Sequence, residues 1–260
     1  MSTSKKTIDF TSKNVKAFTG WLKRFSTIGN MLLLEIDQSK SYFIAKTYND
    51  ERSVVKKGSI KFDEAGLVTK PSTDSKRIKV GIFNIARLIK IMEQFNDKQF
   101  TFTIEFQEIT NNNELEYAAE KIILKNNTLK MSVDCTSLNI FKYITDDLFT
   151  NTIASMPIKE NFDLLNDDIA QITILNVLDN EHKFMKFEVA NSRIFVTGKT
   201  YEFDIAKSKN TNKLDIGIFK SQFISLDDEA YDVELGEEKL VFRSKDSETV
   251  TVISKAEDNE

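Results

Sequence analysis

The sequence is poor in chain breakers. Two prolines and eight glycines in 260 residues leave little material for long irregular loops, so most of the chain is expected in helices and strands. Cys135 is the single cysteine, which excludes an intrachain disulfide and fits a reducing compartment. Histidine also occurs once, as His182 beside Glu181 in an expected turn. No elbow-like serine motif accompanies it, so a Ser-His-Asp arrangement has no support and His182 reads as a surface side chain. The phosphate-cradling patterns G-x-x-x-x-G-K-[ST] and G-x-G-x-x-G are both missing. No apolar run approaches the length of a membrane span, and the opening MSTSKKTIDF has no apolar signal-peptide core. A soluble intracellular protein without membrane contact is expected. Paired acids at Asp146-Asp147, Asp167-Asp168 and Asp227-Asp228-Glu229 sit beside helix starts or turns, where carboxylates cap or face water. No metal, no cofactor and no catalytic residue is expected, and the chain does not read as an enzyme.

What is present suffices for a real core. Apolar residues make up 40% of the chain and charged residues 29%, enough for one large or two ordinary domains. The net charge of −4 argues against a protein coated all round with nucleic acid, but 36 Lys and Arg can still be segregated on one face.

The stretch Leu34–Tyr48, LEIDQSKSYFIAKTY, aligns without a gap on Phe187–Tyr201, FEVANSRIFVTGKTY, at a constant offset of 153. Identities fall at Glu35/Glu188, Ser39/Ser192, Lys46/Lys199, Thr47/Thr200 and Tyr48/Tyr201. Each copy reads as a hairpin, with a β-rich run on either side of a polar turn. Val80-Gly81-Ile82-Phe83 and Ile216-Gly217-Ile218-Phe219 form a second echo, each carrying a strand into a helix-like segment. A duplicated domain follows from the pair of echoes.

Thr11-Ser12 is expected to cap a first helix, Lys13–Phe25, in which Val15, Phe18, Leu22 and Phe25 form an apolar stripe. A second helix is expected at Asn84–Phe95, a third at Asn166–Leu178 and a short fourth at Phe219–Leu226. Ile169, Ile172, Leu175 and Val177/Leu178 supply the third helix's apolar positions. A strand around Ile153–Ile158 is expected before it. With many antiparallel strands between them, the helices imply an α+β fold carrying helices on one side of its sheets. The expected domains are 1–137 and 153–260, joined by a connector at 138–152.

The helix faces carry the least ordinary feature. Lys13, Lys16, Lys23 and Arg24 lie opposite the first stripe, and Arg87 and Lys90 opposite the second. Acidic residues are missing from the first helix and appear in the second only as Glu93. Such a surface suits sequence-independent contact with DNA phosphates. The third helix offers Asn166, Gln171 and Asn176 instead, behind Asp167 and Asp168, and the fourth offers Lys220 and Gln222. Leu138, Ile140, Phe141, Tyr143, Ile144, Leu148 and Phe149 make the connector too apolar for a free linker. They suit a pocket for a short partner peptide.

The duplicated halves, each with two helices on one face and a nonrepetitive connector between, resemble a DNA sliding clamp. The segment Lys13–Ile36, with LKRFSTIGNMLLLEI, resembles the opening of the clamps of T4-like bacteriophages, and Leu175–Thr200 is similar to the matching part of their second domain. The ending TVTVISKAEDNE resembles that of clamps of the proliferating-cell nuclear antigen type. The resemblance implies a duplicated clamp fold that closes as a head-to-tail homotrimer around double-stranded DNA. It implies DNA polymerase and a clamp loader as partners, and the host cytoplasm as location if the source is a bacteriophage. DNA contact would fall to Lys13, Lys16, Lys23, Arg24, Arg87, Lys90 and Lys220, and partner peptides to Leu138, Ile140, Phe141, Tyr143 and Ile144. Subunits would join through edge strands placed at Glu116–Lys125 and Tyr201–Lys207. Two other readings compete. One is a monomeric, herpesvirus-type processivity subunit gripping DNA by a basic face, which a net charge of −4 disfavours. The other is an enzyme of unknown class on an α+β fold.

Overall fold

The computed structural model describes residues 6–12, 14–69, 76–95, 99–111, 114–144, 149–151, 153, 155–210 and 213–256. The chain divides into two compact units, 1–48 with 57–145 and 49–56 with 146–260.

The first unit opens with β1 (Lys6–Ser12), α1 (Lys16–Ser26), β2 (Leu32–Asp37), β3 (Tyr42–Tyr48) and β4 (Val54–Lys61). It continues with β5 (Val68–Thr69), β6 (Arg77–Ile82), α2 (Ile85–Glu93), β7 (Phe100–Asn111), β8 (Glu114–Lys125) and β9 (Lys130–Asp134). Its strands run in the order β4-β3-β2-β6-β8-β7-β1-β5, with β9 on β8. β1 was not foreseen, and it displaces the expected cap. Ser12 ends the strand, and Asn14 instead accepts a hydrogen bond from the Lys16 backbone N–H at 2.8 Å. The helix therefore starts at Lys16, and Phe18, Trp21, Leu22 and Phe25 point inward at i, i+3, i+4 and i+7. Asn84 caps α2 by accepting from the Arg87 N–H at 2.8 Å. Between helices and sheet lies a phenylalanine-rich core, with Phe43 meeting Phe18 at 4.8 Å and Phe62 at 4.6 Å between ring centroids.

The second unit holds β10 (Glu160–Leu164), α3 (Asn166–Leu178), β11 (Phe184–Ala190), β12 (Arg193–Thr197) and β13 (Glu202–Lys207). β14 (Leu214–Phe219), α4 (Lys220–Phe223), β15 (Tyr231–Leu235), β16 (Lys239–Ser244) and β17 (Thr249–Ser254) complete it. Strands β13-β12-β11-β14 form one sheet, and β10-β15-β16-β17 run beside the first residues of β4. The strand expected around Ile153–Ile158 lies instead at Glu160–Leu164, while Phe149–Asn151 are helical.

The two units repeat one another in hydrogen bonds as well as in sequence. The first N–H of α2 donates to Asn30 O at 3.0 Å, and the first N–H of α4 donates to Lys183 O at 2.8 Å. The carbonyl of Gly81 accepts from Thr136 N, and that of Gly217 from Ala256 N, so in each unit the chain leaving the last strand returns to the echoed glycine. A Cβ would meet Thr136 O at 2.5 Å in the first case and the Phe184 ring at 2.2 Å in the second. Close approach, not turn geometry, explains why both echoes carry glycine.

The gapless alignment does not survive past the turn. Glu35 pairs across the ladder with Ile44, but Glu188 pairs with Phe195. The second hairpin turns on Asn191 and Ser192 alone, with φ of 52° and 62°, and is two residues tighter. Lys46 thus corresponds in space to Thr197, each bonded diagonally to its glutamate at 2.6 Å and 3.1 Å. Lys199-Thr200-Tyr201 lie beyond the strand, in the turn that leads to β13.

Strand β8 is not the edge that was expected. β7 covers one flank, and β9 together with a short parallel bridge from β6 covers the other. At this end β9 is open: among the described residues it pairs only with β8, because the hairpin turn at Asn126–Leu129 folds it back over Lys121–Lys125. The edge expected at Tyr201–Lys207 is present as β13 (Glu202–Lys207), which among the described residues pairs only with β12.

Candidate nucleic-acid interface

The exposed surface of α1 and α2 carries Lys16, Lys23, Arg87 and Lys90, with Arg24 half-buried. Lys13 lies outside the described residues. The two helices pack together, and Lys23 Nζ reaches Glu93 Oε1 at 2.8 Å. The one acid on this face is therefore spent on one of its lysines. Arg87 and Lys90 sit a turn apart on α2, and the backbone of Arg87 is fixed by the Asn84 cap. Phe83, directly before the Asn84 cap, is 66% exposed.

The second unit presents a different helix surface. In α3, Ile169 and Ile172 are buried, but Ile174, Val177 and Leu178 face outward. Asn176 turns inward, where its side-chain oxygen accepts a hydrogen bond from Tyr201 OH at 2.7 Å. Burial, with the nearby Asp179 carboxylate, pushes the Tyr201 hydroxyl up to about 12. Asp179 closes the helix and gathers the Lys199 N–H, the Thr200 hydroxyl and the Lys220 ammonium. Burial would raise the Asp179 carboxyl. The Lys220, Thr200 and Lys199 bonds outweigh it and hold the group below its ordinary value.

Lys220 is consequently not a DNA contact. It is 7% exposed, its Nζ is 2.8 Å from Asp179 Oδ2, and it also donates to the Asp179 carbonyl. The helix it opens is a single turn in which Lys220, Gln222 and Phe223 are buried and Ser221 is exposed.

The connector residues divide. Leu138–Phe141 form a 3-10 turn, with Phe141 and Ile144 each 1% exposed. The Phe141 ring lies against Gly81, so Phe141 and Ile144 are packing residues of the first unit rather than a peptide-accessible surface. Leu138 and Ile140 are half-buried and Tyr143 is 41% exposed, the last beneath Lys142 at 4.9 Å. The Ile140 carbonyl accepts from Tyr48 OH at 3.0 Å. Cys135, half-buried after β9, has its thiol pushed up to about 12 by burial and by Asp134 and Glu120. It has no thiolate chemistry at neutral pH. Among the described residues no cluster of His, Cys, Asp and Glu could hold a metal, and no helix is long and apolar enough to cross a membrane.

Comparison of the structure with solved structures matches nearly the whole chain. PCNA from A. fulgidus, bound to the C-terminal region of FEN-1, superposes with a TM-score of 0.60 at 9% identity, covering 97% of this chain and 99% of that one. The Helicobacter pylori beta clamp bound to a DNA ligase peptide gives 0.65 at 10% identity, over 96% of this chain and 66% of its own. The PCNA2-PCNA3 complex from Sulfolobus tokodaii gives 0.56 at 10% identity, over 95% and 98%. The fold is that of the DNA sliding clamps. The clamp fold accounts for the paired echoes, since each is the same strand-to-helix junction in a repeated unit. Family models and curated proteins yield no sequence match.

Proposed function

We propose that the protein is a DNA polymerase sliding clamp, a processivity factor that encircles duplex DNA as a head-to-tail homotrimer and performs no chemistry itself. The observation that carries this reading is the clamp fold over almost the whole chain; among the strands that pair on one side only are β9 in the first unit and β13 in the second. Edges of different sequence on one chain make a heterologous contact, which either closes as a ring or runs on as a filament. The match of 99% to the length of a PCNA chain favours the two-domain, three-subunit design over a longer one. Arg87, Lys90, Lys16 and Arg24 would line the hole and meet phosphates without reading bases. The second unit, with its apolar α3 surface and its buried Lys220, would contribute little to that contact. Polymerase and clamp loader would dock elsewhere, through short peptides of the kind named for the FEN-1 and DNA ligase complexes.

Light scattering over a dilution series tests the assembly, with three times the 29.8 kDa chain mass as the expected result. Retention on nicked circular DNA, with loss on linearisation, tests topological holding. A monomer that binds circular and linear DNA alike would refute the ring and favour a herpesvirus-type grip.

A further inference from the structure

The second unit carries a basic hollow on the outward face of its own sheet. Along β11, the half-buried Phe184, Lys186 and Glu188 alternate with the buried Met185, Phe187 and Val189. With His182, Thr197 and Lys199 they line a cavity of about 600 Å³. Glu188 is the one carboxylate in that lining among the described residues, and it accepts a hydrogen bond from the Thr197 hydroxyl at 3.1 Å. Neither Lys186 nor Lys199 has an ion-pair partner among the described residues. Two lysines and the chain's single histidine therefore share a space with one acid.

The internal repeat directs a segment of the chain itself toward this hollow. The Thr136 N–H donates to the Gly81 carbonyl and the Ala256 N–H to that of Gly217, so Ala256 is the counterpart of Thr136. Four residues beyond Thr136, the Ile140 carbonyl accepts from the Tyr48 hydroxyl at 3.0 Å. Lys46 corresponds in space to Thr197, each bonded to its glutamate, so two residues further on Tyr48 corresponds to Lys199. Four residues beyond Ala256 stands Glu260. Residues 257–260, EDNE, lie outside the described residues and supply three carboxylates. Four extended residues span about 13–14 Å, and the Gly217 that holds Ala256 is paired directly with Lys186 across the ladder. The Phe184 ring covers Gly217 as the Phe141 ring covers Gly81. The apolar part of the first unit's arrangement is thus already supplied in the second, and the charged part is left.

We infer that residues 257–260 seat in this hollow as an acidic ligand carried by the chain itself, with Lys186 and Lys199 as its cationic contacts and His182 in the wall beside it. The Lys199 ammonium then takes the part that the Tyr48 hydroxyl plays for the connector. Ion pairs at a surface are individually weak, but a short tether holds the segment at an effective concentration of about millimolar. Salt screens the attraction and releases it. An acidic peptide of another protein would enter the hollow only by displacing this segment. Nothing in the seating depends on ring closure.

His182 is the only histidine, so isotope-enriched histidine reports on the hollow alone. In a Cys135→Ser background, Asn259→Cys carries a nitroxide label and keeps all three acids. At low salt the label should broaden the His182 ring resonances, and high salt should remove the effect. Adding Lys186→Glu and Lys199→Glu should cut the broadening about tenfold, because both attractions become repulsions. Both side chains stand on the outward face, and an unchanged melt checks folding. A mixture of enriched chains without label and labelled chains without enrichment should show no broadening. Sharp His182 signals at low salt overturn the seating. Broadening that survives both salt and charge reversal overturns its electrostatic basis, and broadening passed between copies overturns its intramolecular nature. Each readout applies to a monomer and a ring alike, so failure of the ring reading would show separately, in the light scattering.

Discussion

Arg87 and Lys90 give the cleanest measure of the basic face, because neither has an ion-pair partner among the described residues and both leave α2 away from Leu88 and Met92. A lysine or arginine that neutralises one duplex phosphate releases counterions, and it adds about 0.9 to the slope of log affinity against log salt. Replacing both by alanine should therefore flatten that slope by about 1.8 for each chain touching DNA, and by about 5 for three. Stability should stay within about 0.5 kcal/mol, since both are surface positions outside any cap or core. Glu93→Gln provides a perturbation of opposite sign. It frees Lys23 from its 2.8 Å partner and should steepen the slope by up to about 0.9 per chain. Anisotropy of a short labelled duplex from low to moderate salt reads all three proteins. An unchanged slope in the Arg87/Lys90 double variant would return these residues to solvated surface. A flatter slope in Glu93→Gln would refute the account of Lys23.

Three further changes follow from burial. Asp179→Asn should cost about 3–5 kcal/mol in urea unfolding, because it strands the Lys220 ammonium in a site only 7% exposed. The acid limb has a definite sign: the folded Asp179 carboxyl lies below its ordinary 3.8. Its stabilisation is full above that value and disappears as pH falls through the lowered one. The variant should lose this part of the acid dependence, and a loss under about 1 kcal/mol would show the pair to be dispensable. Phe141→Ala should cost about 3–5 kcal/mol through the cavity left beside Gly81. Ile140→Ala, half-buried, should be the milder change and the better probe of peptide binding. If Phe141→Ala melts like the parent protein, the packing assigned to the connector is wrong.

Where the sequence could be read, one local period carried the information. α1 and α2 show buried residues at helical spacing, and Asn166–Leu178 was bounded correctly by its acidic start. The glycine echoes marked equivalent junctions because the close approach constrains residue type at each. Failures came where a distant partner decides. β1 hides in KTIDFTS, whose buried Ile8, Phe10 and Ser12 alternate but lie among polar residues. Whether β8 or β9 forms the edge depends on which way the turn at Asn126–Leu129 folds the chain, and alternation within either strand is silent on that. Lys220 looked like solvent-facing charge, yet its place is set by Asp179, 41 residues earlier. In α3 residue type misled outright: Asn176 faces inward because Tyr201 supplies its partner, and Leu178 faces out.

The difference between the two units has a physical consequence for how DNA would be held. A protein that grips a duplex by charge needs a continuous basic surface, since each lost phosphate contact weakens binding by a salt-dependent factor. Among the helices, α1 and α2 carry the exposed basic residues. α3 offers isoleucine, valine and leucine, and the lysine of α4 is committed to a buried carboxylate. Basic helix residues confined to one unit would make a poor monomeric clasp. They are adequate for a ring, in which closure keeps the duplex inside while contacts stay weak and exchange as the protein slides. The exposed apolar surface of α3 carries no charge for a phosphate to meet. An apolar stripe contributes nothing to a grip by charge, so in a ring the hold would rest on closure rather than on this helix.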